Sequence, residues 1–144
     1  MPLQHHTSVT AVLVLCGLTR SLTASILAHE AMHVWLRLHS SLQQAGTHFL
    51  APVVEEGLCQ LIAAQYLEHL TTTTASSTSK AASSSSSCSS DWSSRLLAYY
   101  SYQIETDPSP VYGEGFRQAA AGFAALGLHA LLDHVVATGQ FPIL

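Results

Sequence analysis

Charge is the first thing that this sequence has little of. Only 10% of its 144 residues are charged, and five Lys and Arg stand against nine Asp and Glu, for a formal net charge of -4. A protein that follows a phosphate backbone needs a dense block of basic residues, and the sequence contains none, so nucleic-acid binding is excluded. Because 48% of the residues are hydrophobic, we expect one small domain. Most of its residues should be buried, either in its own core or against a partner domain.

Cysteine and long apolar runs are scarce as well. Cys16, Cys59 and Cys88 lie far apart and are odd in number, which excludes a complete disulfide set and favours free thiols in an intracellular, cytoplasmic protein. The apolar run 11–18 ends at Thr19-Arg20-Ser21, well short of the roughly 20 residues that a membrane span needs. It also lacks the basic start of a signal peptide. Neither membrane insertion nor secretion is therefore expected.

What the sequence does contain is the pentapeptide His29-Glu30-Ala31-Met32-His33, inside an apolar, helix-compatible segment over residues 23–38. Residues i and i+4 lie one turn apart on the same helix face, so His29 and His33 can bind one zinc ion. Glu30 can take a proton from a water molecule and pass it to a leaving amine. The motif predicts a zinc peptidase. The alternative is a chance match in which both histidines belong to the core.

A catalytic zinc site takes three protein ligands and keeps one position for water, so a third ligand must come from elsewhere. Glu55 and Glu56 stand at the start of a second apolar segment, predicted to be helical over residues 54–70. Either could face the metal. We favour Glu56, because Gln60 then lies one turn later and could orient a histidine. The alternative role of this acidic pair is a favourable interaction with the helix dipole.

Segments 9–18 and 22–38 around the two histidines are followed by VEEGLCQ at 54–60. QIETD at 103–107 and YGEGFR at 112–117 come next, and LDH at 132–134 and TGQFP at 138–142 lie in the C-terminal part. In this order, the motifs resemble the peptidase domain of the plant "DA one" type proteins, which are LIM-domain, ubiquitin-activated peptidases that limit organ growth.

The resemblance implies a glutamate-zincin in which His29, His33 and Glu56 bind Zn²⁺ and Glu30 is the catalytic glutamate. It further implies an intracellular endopeptidase whose partners are protein substrates, with ubiquitin and ubiquitin-system proteins among them. The LIM and ubiquitin-interacting segments that precede this domain in the plant proteins are absent from the sequence. A catalytically inactive zincin-fold binding or regulatory module is therefore the alternative function, and an incomplete gene product is a third interpretation.

A peptidase also needs a hydrogen-bond donor for the oxyanion that forms when water attacks the scissile carbonyl. Tyr112 and His134 are the predicted donors, because both fall in the family-like C-terminal motifs and both can donate a hydrogen bond. The alternative for either residue is a structural role in the core.

The fold class expected is α+β and mainly helical, a zincin-like metallopeptidase domain over residues 1–144. A buried strand at about 9–15 and a turn at Gly17 should precede the active-site helix, which begins near Ser21 or Thr23. Gly57 should allow the second helix to approach the metal-binding helix closely. The Ser/Thr-rich segment 71–94 is expected to be a disordered insertion. Further helices are predicted over 92–105 and 115–137, with Gly139 ending the last one.

Overall fold

The computed structural model describes residues 9–44, 50–78 and 87–144, and within these ranges all regular structure is helical. A mainly helical class is thus confirmed. The six helices are α1 (Arg20–Leu38), α2 (Ser40–Gln44), α3 (Pro52–Thr78), α4 (Ser87–Glu105), α5 (Tyr112–Leu126) and α6 (Leu128–Thr138).

Helix α3 is the centre of the fold, because α1, α4 and α5 all pack against it. Its side chains Leu58, Leu61 and Leu67 are almost completely buried. Burying a leucine side chain stabilises a fold by about 1.5–3 kcal/mol, so these residues account for much of the core energy. The core continues into the neighbouring helices through Met32, Leu36, Ala119, Leu131 and Val135.

Helix α1 begins close to the predicted position. Thr19 is its N-cap, and the Thr19 hydroxyl accepts a hydrogen bond of 3.4 Å from the backbone N–H of Leu22. A hydroxyl at this position satisfies one of the free N–H groups of the first turn. Met32 and Leu36, one turn apart, are buried in the core that α1 shares with α3. The motif histidines are therefore carried on a helix that is fixed by apolar packing.

The close approach predicted at Gly57 exists, but its partner is α5 rather than the metal-binding helix. A Cβ atom placed on Gly57 would collide with the backbone of Gly115, and one placed on Gly115 would collide with the carbonyl of Val53. The two glycines let α3 and α5 touch backbone to backbone. The prediction was wrong about the partner because a glycine identifies a close contact without identifying what makes it.

The strand predicted at the N-terminus is not formed, since residues 9–15 have no regular secondary structure. Leu13 and Leu15 expose 86% and 77% of their surface. A strand needs a neighbouring strand for its backbone hydrogen bonds, and the described residues offer none. The apolar run that predicted a buried strand therefore lies largely in solvent in this structure.

The Ser/Thr-rich segment is helical at both ends. Residues 71–78 continue α3 and residues 87–94 begin α4, so both helices extend further than predicted. Threonine hydroxyls in α3 bond back to preceding carbonyls, as in the 2.9 Å bond from Thr71 to Leu67. Residues 79–86 lie outside the described residues, and the disordered insertion stays a prediction there.

The single helix predicted over 115–137 is two helices, α5 and α6, separated at Gly127. Gly127 has a φ of 77°, a conformation that L side chains rarely adopt, and the two helices are bent by 120°. Gly139 ends α6 as predicted, with a φ of 71° and its N–H bonded to the carbonyl of Val135. No single described helix is long and apolar enough to cross a membrane, although α5 and α6 together have the required length and composition.

Candidate metal centre

Three donor atoms meet between α1 and the first turn of α3. His29 Nε2 lies 3.2 Å from His33 Nε2, and Glu56 Oε2 lies 3.3 Å from His29 Nε2 and 3.5 Å from His33 Nε2. The histidines come from successive turns of one helix, and the carboxylate comes from the helix packed against it. The structure thus brings together the three residues that the sequence predicted as ligands.

The size of this triangle fits a zinc ion. Zinc binds histidine nitrogen and carboxylate oxygen at about 2.0–2.1 Å, and tetrahedral angles then separate two ligand atoms by about 3.3 Å. The three observed separations lie between 3.2 and 3.5 Å. These separations match those expected between two ligand atoms of one tetrahedral zinc ion.

Glu56 Oε2 is buried, and its contacts of 3.3 and 3.5 Å to the two imidazole nitrogens do not have the geometry of a hydrogen bond within the described part of the chain. A buried carboxylate oxygen with contacts of this kind is costly, because it has lost its water and gained little in return. A cation at the centre of the triangle would remove that cost. The chemistry of the donor set, two imidazoles and one carboxylate with an additional open side, is also that of catalytic zinc sites.

Glu55 has a different role from Glu56. Its Oε1 lies 2.8 Å from His33 Nδ1 and 3.4 Å from Arg37 Nη2. An ionised carboxylate can only accept, so His33 donates through Nδ1 and keeps the lone pair of Nε2 directed at the triangle. This is the orienting contact that metal-binding histidines usually have. The sequence assigned it to Gln60, but Glu55 supplies it for His33.

The surroundings of His29 favour its neutral imidazole. Its burial and the neighbouring His33 lower the pKa of His29, and the carboxylates of Glu56 and Glu30 only partly oppose this. A ring must be neutral to offer a lone pair to a metal ion. The electrostatic environment therefore favours the form of His29 that can bind a cation.

Cys59 is a fourth potential donor that the sequence analysis did not assign. Ligand atoms of His29, His33 and Cys59 all lie within 4.8 Å of one another, and Cys59 is completely buried. Its burial and the nearby carboxylates, Glu56 first among them, raise the pKa of the Cys59 thiol far above its ordinary value. The pattern that would have found it is the spacing i, i+3 from Glu56, which places both side chains on one face of α3.

Glu30 lies at the junction of two cavities. The first, of about 820 Å³, is lined by His29, Glu30 and Gln60 on one side and by the end of α4 and the following loop on the other. The second, of about 490 Å³, runs between residues 9–12 and the side chains of Glu30, His33 and Glu56. Glu30 lines both cavities, whereas His29 lines the first and His33 and Glu56 line the second.

The structure does not bring Tyr112 or His134 to these cavities, since neither residue lines them. Tyr112 opens α5 with 42% of its surface exposed, and His134 lies on α6, which packs against α5 and α2. Their sequence motifs lie far along the chain from His29 and Glu56, on other elements of the fold. The hydroxyl-bearing residues that do line the first cavity with His29 and Glu30 are Ser25, Tyr99, Tyr100, Tyr102 and Thr106. The sequence pattern that could have identified these cavity residues is the occurrence of three tyrosines within four positions, at 99, 100 and 102.

Comparison with known proteins decides the family. The family model described as "DA1-like: Protein DA1" matches residues 1–138. The chain belongs to the DA1-like family. It is 46% identical over 143 residues to "Protein DA1-related 1" and 43% identical over 141 residues to "Protein DA1", both of Arabidopsis thaliana. It is 42% identical over 149 residues to "LIM domain-containing protein HDR3" of Oryza sativa subsp. japonica.

These three alignments cover 93%, 94% and 94% of the chain but only 25%, 25% and 28% of the respective relatives. The DA1-like chain thus spans about a quarter of the length of the curated proteins that it matches. No solved structure matches it.

Proposed function

We propose that this DA1-like chain is a zinc-dependent endopeptidase with a zincin-like site, in which His29, His33 and Glu56 hold the metal. The observation that carries the proposal is the triangle of donor atoms, with edges of 3.2, 3.3 and 3.5 Å. The burial of Glu56 Oε2 without a hydrogen bond from the described residues also supports it. A zinc ion held there would lower the pKa of a bound water molecule and polarise the scissile carbonyl.

The remaining chemistry belongs to the side chains around the triangle. Glu30 is the next residue to His29 on α1 and opens into both cavities, so its carboxylate can hold the proton taken from the attacking water and deliver it to the leaving nitrogen. Glu55 fixes the ring of His33 through Nδ1. The two cavities on either side of Glu30 are suited to an extended polypeptide with residues on both sides of the cleaved bond, which supports internal cleavage.

The substrate class follows from the resemblance to the family. We propose intracellular proteins as substrates, with ubiquitin-system regulators among them, and a cytoplasmic location. Because the chain spans about a quarter of its relatives' length, the alternative is a zincin-fold module that binds partners without turnover. Glu30 separates the two proposals, since it is needed for hydrolysis and not for holding a metal.

The test is hydrolysis of a mixture of denatured proteins by zinc-loaded protein, with new N-termini identified by mass spectrometry. Glu30→Gln should lower the rate by about 10²–10⁴-fold, the usual contribution of general acid–base catalysis, while zinc content stays unchanged. Glu68→Gln is the matched control, because Glu68 is an exposed glutamate further along α3. Equal rates for wild type and Glu30→Gln would contradict the peptidase. A zinc-loaded protein that cleaves nothing would favour the binding module.

A further inference from the structure

The first cavity, of about 820 Å³, has a wall that the proposed hydrolysis does not use. It is formed by the end of α4 and the loop that follows, and Tyr99, Tyr100 and Tyr102 line it. Tyr99 and Tyr102 expose 53% and 61% of their surface. Aromatic side chains that are this open in a cavity offer contact area to a ligand, because the core does not cover them.

Hydrogen bonds hold two of these tyrosines in place. The hydroxyl of Tyr100 lies 3.1 Å from the hydroxyl of Thr19, the N-cap of α1. The hydroxyl of Tyr99 accepts a 2.8 Å hydrogen bond from the side-chain amide of Gln103, one turn later on α4. Both contacts restrict the movement of the rings, so this aromatic surface is in position before a ligand arrives.

Asp107 adds a carboxylate to the same wall. Within the described part of the chain, that carboxylate receives one hydrogen bond of 2.7 Å, from the backbone N–H of Ser109 to Oδ1, and it makes no ion pair. Helix α5 holds the backbone at this point, since Arg117 donates a 3.1 Å hydrogen bond to the carbonyl of Asp107. A Cβ atom on Gly113 would collide with that same carbonyl. The carboxylate is therefore firmly placed and keeps capacity to accept further hydrogen bonds.

The charges around this cavity are of one sign. None of the described residues that line it is a lysine or an arginine, and its carboxylates belong to Glu30 and Asp107. Arg117 does not line it, and its guanidinium lies 3.0 Å from the carboxylate of Glu114. A wall of this charge attracts a cation and repels an anion. The faces of the tyrosine rings add to the attraction, because their quadrupole also favours a cation.

A basic side chain fits this wall better than an apolar one. Leu22, Ile26 and Ile104 also line the cavity, and the methylene stem of a lysine or arginine can pack on such residues while its charged end reaches a carboxylate. An aromatic or aliphatic side chain would remove water from Asp107 and give nothing in return, which costs free energy. An acidic side chain would meet two charges of its own sign.

We propose that this cavity selects a lysine or arginine close to the cleaved bond, and that Asp107 is the residue that determines the selection. The inference rests on the proposed peptidase, whose His29 and Glu30 line the same cavity. The charged end of the substrate side chain binds the Asp107 carboxylate and lies against the tyrosine rings. The preferred cleavage sites are therefore basic segments of protein substrates.

The test compares substrates that differ only in charge. Cleavage sites found by mass spectrometry in a mixture of denatured proteins should be enriched in lysine and arginine at one fixed position. A peptide made from such a site and blocked at both ends should be hydrolysed with a kcat/KM about 10-fold higher with arginine there than with citrulline, its neutral analogue.

Two variants show whether Asp107 causes this preference. Asp107→Asn keeps an acceptor for the N–H of Ser109 and should abolish the preference for arginine over citrulline. Asp133→Asn is the matched control, because Asp133 is an exposed aspartate on α6, and the preference should persist in it. If Asp107→Asn does not fold, the wild-type preference decides together with Tyr99→Leu, which should lower it about threefold by removing one ring.

Enrichment of another residue class, or equal kcat/KM for the arginine and citrulline peptides, would overturn the inference and leave the proposed peptidase intact. A preference that persists in Asp107→Asn would overturn the role of that residue. If nothing is cleaved, the proposed peptidase fails and binding decides. An alanine peptide with one central arginine, blocked at both ends, should then bind about 10-fold more tightly than its citrulline analogue in a nuclear magnetic resonance titration. Equal affinity would overturn this inference as well.

Discussion

Helix α3 has two faces that make different kinds of contact. The face toward α1 carries Glu55, Glu56 and Cys59, and its contacts are made to histidine and arginine side chains. The face toward α5 carries Gly57, and its contact is backbone against backbone at Gly115. The contact with α1 holds polar donor atoms in a defined geometry, and the contact with α5 fixes the distance between the two helices. We infer that the α5 contact gives α3 the rigidity that the polar contact with α1 needs.

The same sequence segment, VEEGLCQ at 54–60, supplies both faces. Residues 55, 56 and 59 lie on the face toward α1 and residue 57 lies on the face toward α5, because successive helix positions are rotated by about 100°. Substitutions within this one segment should therefore separate into two classes. Those on the α5 side should lower stability, and those on the α1 side should lower metal affinity.

The largest effect is expected from Gly57→Ala. Its new Cβ would overlap the backbone of Gly115, which cannot move aside as a flexible side chain would. Overpacking in a core costs typically 1–3 kcal/mol, and this contact is with backbone, so we expect a loss of about 3 kcal/mol in the free energy of unfolding. Denaturant unfolding measures it. Glu68→Ala, at an exposed position of the same helix, should change stability by less than about 0.5 kcal/mol. An unchanged midpoint for Gly57→Ala would remove the distinction between the two faces.

Glu56→Gln should have the next largest effect, on metal affinity. The amide keeps the size of the side chain but removes the negative charge that faces both histidines. Loss of a direct ligand should weaken zinc binding by more than the 10–100-fold that is typical for an outer contact. Competition with a chelator measures it, and the folded state should persist in the absence of metal. Zinc affinity equal to that of the wild type would assign the third ligand to another residue.

The sequence predicted the polar residues of the α1 face better than the packing of the α5 face. The motif spacing places His29 and His33 on one helix face, whereas the choice of Glu56 over Glu55 rested on Gln60 and on the family resemblance. The partner of Gly57, the break at Gly127 and the irregular segment 9–15 depend on which elements meet in three dimensions. An isolated glycine in a helical pattern does not reveal whether it marks a close contact or a break.

The position of residues far along the chain was equally hard to predict. Tyr112 and His134 were expected at the site because of their motifs, but the tyrosines at 99, 100 and 102 line the cavity instead. Cys59 was treated as a free thiol, and its proximity to the histidines arises from the way α3 is rotated against α1. Leu58 and Leu61 of α3 are buried in the shared core, and no sequence motif records how such packing orients a helix.

Glu55→Gln distinguishes a residue that orients a metal ligand from Glu56, the proposed ligand itself. The amide oxygen of this variant could still accept a hydrogen bond from His33, but the neutral side chain would no longer attract the imidazole or Arg37 by charge. Outer contacts of this type usually contribute 10–100-fold to metal affinity or activity, so a loss of that size is expected in the same chelator competition. A loss as large as that of Glu56→Gln would show that Glu55 binds the metal itself.

The smallest effect is a pH dependence of the metal-free protein. Burial and His33 lower the pKa of His29 in the folded state, while an unfolded histidine titrates at about 6.5. The unfolded state therefore binds more protons than the folded state as the pH falls below about 6.5, and stability is lost toward the lower, folded pKa. Unfolding of the chelator-treated protein between pH 7.5 and roughly 5 should show this decline. His29→Gln should flatten it, and an identical slope in that variant would assign the decline to other groups.

The central claim is that α1 and α3 together form a zinc site, and elemental mass spectrometry of protein purified without added metal tests it most directly. The account predicts about one zinc per chain in the wild type and in Glu30→Gln, and a loss of zinc in His33→Ala, because three side chains hold the ion and Glu30 does not. Folded wild-type protein with no zinc, which also takes up none when it is supplied, would contradict the account.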